Sequence, residues 1–240
     1  MWQHLYKLYI IWFIIGMVLV GFDLIPPWLE WANSVFLILA GIVALRYAMQ
    51  TFGRRLGIWL CVGIGISTFS IEGLSAHYDV FFGNYDYTTL FPPLLFGVPI
   101  GIGFAWIVMI MAGHALTVNV RQPLLRIVLA SFYVVALDLV LDPVAYVTKG
   151  YWIWNSDSSY YGIPWTNFAG WFVTAFVWQV ILQWQSYQQV QRAQQQMKVV
   201  FWTIFVLFVW LAALDQLYVS IVVSSALFIV LQVVKKYVGR

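Results

Sequence analysis

If this 240-residue chain crosses a bilayer eight times, eleven of its twelve basic residues fall on one side. They are Lys7, Arg46, Arg54, Arg55, Arg121, Arg126, Arg192, Lys198, Lys235, Lys236 and Arg240; only Lys149 faces the other way. All nine acids (Asp23, Glu30, Glu72, Asp79, Asp86, Asp138, Asp142, Asp157 and Asp215) sit in or near the opposite half. Lys and Arg accumulate in cytoplasmic turns, so the basic side is predicted to be cytoplasmic, with both termini there. The expected location is the cell membrane, with any acid–base chemistry in the extracytoplasmic half.

At 63% hydrophobic and 9% charged residues, the chain is not a soluble domain. Segments near the twenty apolar residues that a spanning helix needs lie at about 8–25, 33–50, 56–76, 96–118, 124–147, 163–186, 199–214 and 217–234. The last two are read as a hairpin. One helix over 199–234 would measure about 54 Å, against a hydrocarbon core of about 30 Å. Asp215-Gln216 offers a polar turn, and a hairpin returns Lys235 and Lys236 to the side of Lys198. Lys7 and the apolar run after it resemble a signal peptide, but Asp23, Pro26 and Pro27 stand where small residues would be cleaved. A retained first helix is expected. The expected fold is all-α: a polytopic bundle of about eight transmembrane helices with aromatic extracytoplasmic caps, one integral membrane domain over 1–240.

Several function classes drop out. The net charge of +3 comes from the cytoplasmic turns and suits anionic lipid, not nucleic acid. Cys61 is the lone cysteine, so neither an intrachain disulfide nor a cysteine metal pair can form. His4, His77 and His114 are scattered, and no metal site is expected; His114 reads as a packing or helix-end residue. There is no G-x-S-x-G and no phosphate loop.

The outer connections are unusual. HYDVFFGNYDYTTLFPPLL (77–95) and TKGYWIWNSDSSYYG (148–162) mix aromatics with Gly, Asn, Asp and Pro. They read as caps folded over the bundle at the interface. The cytoplasmic QQVQRAQQQMK reads as a polar helical extension. Gly53-x-x-x-Gly57 and Gly97-x-x-x-Gly101 read as close helix contacts.

At 1.5 Å per residue from each cytoplasmic helix end, Glu72 comes out near ~24 Å, Asp138 near ~21 Å, Asp142 near ~27 Å and Asp23 near ~22 Å. Asn167 belongs to the same slab. Carboxyls inside a span face a cavity or a partner, because lipid cannot solvate them. No Lys or Arg shares this depth. A carboxyl buried without a cation favours its neutral, proton-donating form. Asp138 and Asp142 are four apart and share a helix face. Asp142 also precedes Pro143, so it equally suits backbone groups freed around the proline. Asp215 reads as a turn residue.

The stretches FFGNYDYT (81–88), GVPIGIGFAWI (97–107), ALDLVLDPVA (136–145) and GYWIWNSDSSYYGIPWTNFAGW (150–171) resemble the carotenoid biosynthesis proteins of the CruF type, the carotenoid 1,2-hydratases. The similarity is densest from about Glu72 to Trp171. It implies an integral membrane enzyme that adds water to the terminal isoprenoid double bond of an acyclic carotenoid. No cofactor is implied. The partners would be a membrane-dissolved acyclic carotenoid, water, the bilayer and other carotenoid-pathway enzymes.

That chemistry needs an acid, a held water and electron-rich walls around a tertiary cation. Asp138, Glu72 and Asp142 are the candidate catalytic carboxyls, with Asp138 favoured as the acid because Asp142 shares its helix face. Asn167, Tyr85, Tyr87, Trp106, Trp152, Trp154, Trp165 and Trp171 are the candidate substrate-binding walls. Each aromatic face contributes about 0.5–2 kcal/mol of cation–π attraction. Two other readings stay open: a carotenoid end-group cyclase, and a non-catalytic carotenoid or lipid carrier or proton-coupled transporter.

Overall fold

The computed structural model describes residues 2–22 and 24–238. Asp23, expected in the acidic slab, and Arg240, expected among the basic turns, lie outside the described residues. Among the described residues eight α-helices follow in order: α1 (Trp2–Gly21), α2 (Trp31–Phe52), α3 (Arg54–Tyr78), α4 (Ile100–Thr117), α5 (Pro123–Pro143), α6 (Trp165–Gln183), α7 (Gln191–Leu214) and α8 (Tyr218–Tyr237). Four short strands lie between them: β1 (Tyr85–Tyr87), β2 (Leu94–Leu95), β3 (Val98–Pro99) and β4 (Trp152–Trp154). Among the described residues, seven of the helices are long and apolar enough to cross a membrane. The other is α6, whose 19 residues reach about 28 Å and include buried Asn167, Thr174 and Gln179. The protein is a multi-pass helical membrane bundle.

Local chemistry sets the helix ends. Pro123 opens α5, where a missing N–H costs no helical hydrogen bond. Asp215 caps α7, and Gln216 takes a positive φ of 60° at the reversal into α8. The continuous apolar run 199–234 is therefore two antiparallel helices. Gln191–Lys198 forms the first turns of α7.

α4 and α5 are the most enclosed helices and α1 the least. α4 is the central post, packed on α2, α3, α5 and α7, while α5 also packs on α6 and α8. The glycine pairs only half match their expectation. A Cβ at Gly57 would stand 2.5 Å from the Met49 backbone nitrogen, so α2 and α3 touch closely there. A Cβ at Gly101 would meet the Phe91 ring at 2.9 Å. Gly53 and Gly97, however, lie outside the helices at φ of +88° and +80°. Gly53 is the hinge between α2 and α3. Gly97 follows Phe96 (φ 51°) in the two-residue turn of the β2–β3 hairpin, where both central residues need positive φ.

Candidate active site

The two outer segments meet as a ribbon. β1 pairs antiparallel with β4 in the register Tyr85↔Trp154, Asp86↔Ile153 and Tyr87↔Trp152. Side chains alternate along a strand, so Tyr85, Tyr87, Trp152 and Trp154 share one face. That face looks into the bundle, while Asp86 and Ile153 are exposed. Side chains pin the ribbon down. Thr88 Oγ1 donates to Gly150 O at 2.6 Å, Thr166 Oγ1 donates to Phe82 O at 2.9 Å, and Asn155 Nδ2 donates to Asn84 Oδ1 at 2.6 Å. Ser75, at the end of α3, also donates to Val80 O.

Under the ribbon, three buried carboxyls meet. Glu72 of α3 accepts at Oε2 from the Tyr85 hydroxyl (2.6 Å) and the Tyr87 hydroxyl (2.8 Å), and at Oε1 from Trp106 Nε1 (2.9 Å). Asp142 of α5 accepts at Oδ1 from Trp152 Nε1 (2.7 Å) and Trp154 Nε1 (3.1 Å), and at Oδ2 from Asn167 Nδ2 (2.7 Å). Strand β1 thus serves Glu72 and strand β4 serves Asp142. Asp138, one turn inward on α5, accepts only from Asn167 Nδ2, at 3.1 Å to Oδ2. Its Oδ1 is buried with no hydrogen-bond partner.

These groups surround one cavity of about 30 Å³, lined by Glu72, Asp138, Asp142, Asn167 and, among others, Ile102. A polar cavity of that size has room for water. Burial and the adjacent Glu72 carboxylate push the phenols of Tyr85 and Tyr87 well above their ordinary range, so both remain neutral donors. Among the described residues no three His, Cys, Asp or Glu side chains form a group fit to hold a metal ion.

Tyr85, Tyr87, Trp152, Trp154 and Trp171 line the cavity with the carboxyls. Trp106 stands directly behind Glu72 and stacks on Trp171 at 4.2 Å. Trp165 does not join them. It is 59% exposed, packed beside Tyr160 and Phe168 on the outside of α6. Asn167 points inward, and a residue two positions earlier on a helix points elsewhere.

The proline beside Asp142 has its own partner. Pro143 has no N–H for Leu139 O, and the Tyr160 hydroxyl fills that carbonyl at 2.6 Å. A widened π turn, Val144–Thr148, follows. The Asp142 carboxylate is thereby left to the indoles and to Asn167. Tyr160 and Ile102 were not singled out in the sequence. Ile102 lies four residues before Trp106 on the same face of α4, which is the spacing that could have marked it. Tyr160 could have been found only by asking what satisfies Leu139 O. His114, at the other end of α4, accepts or donates at Nδ1 to the Tyr47 hydroxyl (2.7 Å), away from the carboxyls.

Fold and site together define a multi-pass membrane protein with a closed acidic chamber under an aromatic ribbon. Residues 32–234 match the model of the carotenoid biosynthesis protein family, and the chain belongs to that family. A relative from Haloarcula japonica, bisanhydrobacterioruberin hydratase, is 29% identical over 130 residues. The match covers 52% of this chain and 43% of the relative. The chain thus spans less than half the length of that relative. No solved structure matches the chain.

Proposed function

We propose that this protein is a carotenoid hydratase, adding water across a terminal isoprenoid double bond of an acyclic carotenoid. The observation that carries the reading is the contrast among the carboxyls. Glu72 and Asp142 are filled with N–H and O–H donors, as carboxylates are. Asp138 Oδ1 has none, and the Asp138 side chain lines the chamber. A carboxyl oxygen without a donor, between two acceptor-saturated neighbours, is the natural place for a proton. The family and the hydratase relative support the substrate class and the reaction.

In this mechanism Asp138 gives its Oδ1 proton to the alkene carbon that bears hydrogen. The π pair forms the new C–H bond, and a tertiary cation is left at the other carbon. The faces of Trp152, Trp154, Trp171, Tyr85 and Tyr87 stabilise that cation. A water oxygen forms the C–O bond, and its surplus proton returns through Asp142 or directly to Asp138. One water is added, with no change of oxidation state. Polar walls and a water-sized space favour capture by water over ring closure, which must exclude it.

Supplied with an acyclic carotene, the protein is expected to form a 1-hydroxy-1,2-dihydro end group without added cofactor. In heavy water, deuterium is expected at the carbon next to the alcohol. A ring product would replace the reading with a cyclase, and clear binding without conversion would replace it with a carrier. The basic end is proposed to face the cytoplasm. A cysteine at position 192, with Cys61 removed, is then expected to react with an impermeant reagent from the inside only.

A further inference from the structure

The chamber is ringed by α3, α4, α5 and α6, and at about 30 Å³ it is too small for an isoprenoid end. A substrate dissolved in the bilayer must therefore displace a wall. Three of the four seams are closed by near contact of helix backbones. A Cβ at Gly65 of α3 would stand 3.2 Å from Ile107 Cδ1 and 4.0 Å from Gly103 O of α4. A Cβ at Gly113 of α4 would stand 3.0 Å from Ala130 O of α5. α5 and α6 share one of the most extensive helix contacts in the molecule.

The α3–α6 seam is built differently. Those two helices have almost no close backbone approach. They are bridged by aromatic side chains laid over glycine. A Cβ at Gly63 of α3 would meet Trp178 Cη2 of α6 at 3.1 Å. A Cβ at Gly170 of α6 would meet the Phe82 ring at 2.6 Å and Phe81 Cε1 at 3.3 Å. Phe82 stacks on Trp106 at 6.2 Å, and Trp106 stacks on Trp171, which lines the chamber. An aromatic column therefore runs from this seam to the carboxyls. Trp59 on α3 and Val173 and Val177 on α6 are exposed nearby, as lipid-facing residues are. Side chains change rotamer in picoseconds to nanoseconds, whereas separating packed helix backbones forfeits close contacts along a whole face.

We propose that the α3–α6 seam is the lateral portal and tail-binding site for a long apolar polyene whose end group reaches the chamber, with Trp178, Phe82 and Trp171 as the wall that moves. The occupant's identity rests on the hydratase reading, while the portal rests on the seam. A competing location exists on the other flank of α3, a groove of about 490 Å³ lined by residues such as Ile42, Leu45, Phe69 and Phe104. That groove shares no lining residue with the chamber.

The test reads binding, not product. Gly63→Cys and Trp178→Cys are combined with Cys61→Ala and bridged by a short, reducible bis-thiosulfonate. Uptake of an acyclic carotene by the purified protein is followed through its visible absorption. The bridged protein is expected to take up carotene at least about tenfold more slowly and to recover on reduction. Unchanged uptake across the bridge would overturn the portal. In a second arm, a photoreactive phenylalanine analogue replaces Trp178 or, separately, Ile42. A carotene adduct at position 178 supports the portal, and an adduct at position 42 alone overturns it. Normal uptake with no hydration would strike the proposed chemistry and leave the portal standing.

Discussion

His114 and the carboxyl cluster are buried ionisable groups near opposite ends of the bundle, and their surroundings differ. At the basic end, His114 is closed in by Tyr47, Phe52 and Tyr187, with ring centroids 5.9, 5.2 and 5.4 Å away. Its Nδ1 has one partner, the Tyr47 hydroxyl. At the acidic end, three carboxyls share a chamber, and one carboxyl oxygen is left without a partner. A buried polar atom with its partner in place stabilises a fold. One that is denied a partner costs about 1–3 kcal/mol, and such a cost is tolerated where chemistry requires it. The difference between the ends lies in what surrounds each group, not in how deeply it is buried.

The sharpest way to break this contrast is Asp138→Asn. It keeps shape and the Asn167 neighbour but removes the transferable proton, so turnover is expected to fall by about a hundredfold or more with the fold intact. Wild-type hydration by purified Asp138→Asn would remove Asp138 as the acid. Next comes Trp152→Phe, which deletes one of the two indole donors to Asp142 Oδ1. Losing a hydrogen bond to a charged group costs about 1.5–3 kcal/mol, which should appear as a lower melting temperature alongside reduced turnover. A variant with both quantities unchanged would show that the ribbon merely covers the site.

Tyr47→Phe probes the other end. It strips His114 Nδ1 of its partner, so a stability loss of about 1–3 kcal/mol is expected while the folded protein keeps full turnover. A large loss of turnover at unchanged stability would give the basic end a chemical role and erase the contrast. The smallest effect is expected for Trp165→Phe. That ring is on the outer surface, so hydration and thermal stability should both stay within about twofold or 0.5 kcal/mol of wild type. A tenfold loss of hydration would return Trp165 to the site.

Much of the site was legible because burial of charge in lipid is rare enough to be informative. Glu72, Asp138 and Asp142 stand out in apolar runs, and helix rise alone places them at one level. The same periodicity separated Asn167 from its neighbours only after the direction of α6 was known, which is why Trp165 was included with Trp171. The glycine pairs mislead for a related reason: i,i+4 spacing means a shared face only if both residues are in one helix, and Gly53 and Gly97 are in turns. Asp142-Pro143 also had a backbone-serving reading in the sequence, and it is Tyr160 that takes the freed Leu139 carbonyl.

Hydropathy and charge placement determine the number of helices, the alternation of ends and the depth of the acids, because lipid penalises every unsatisfied backbone group and every misplaced charge locally, residue by residue. Tertiary structure alone decided that β1 serves Glu72 while β4 serves Asp142, that Asp138 Oδ1 is left unpartnered, and that aromatic side chains bridge the α3–α6 seam. Those outcomes depend on strand register and on contacts between residues up to about a hundred positions apart in the chain. No local pattern encodes which donor reaches which oxygen until the helices have packed.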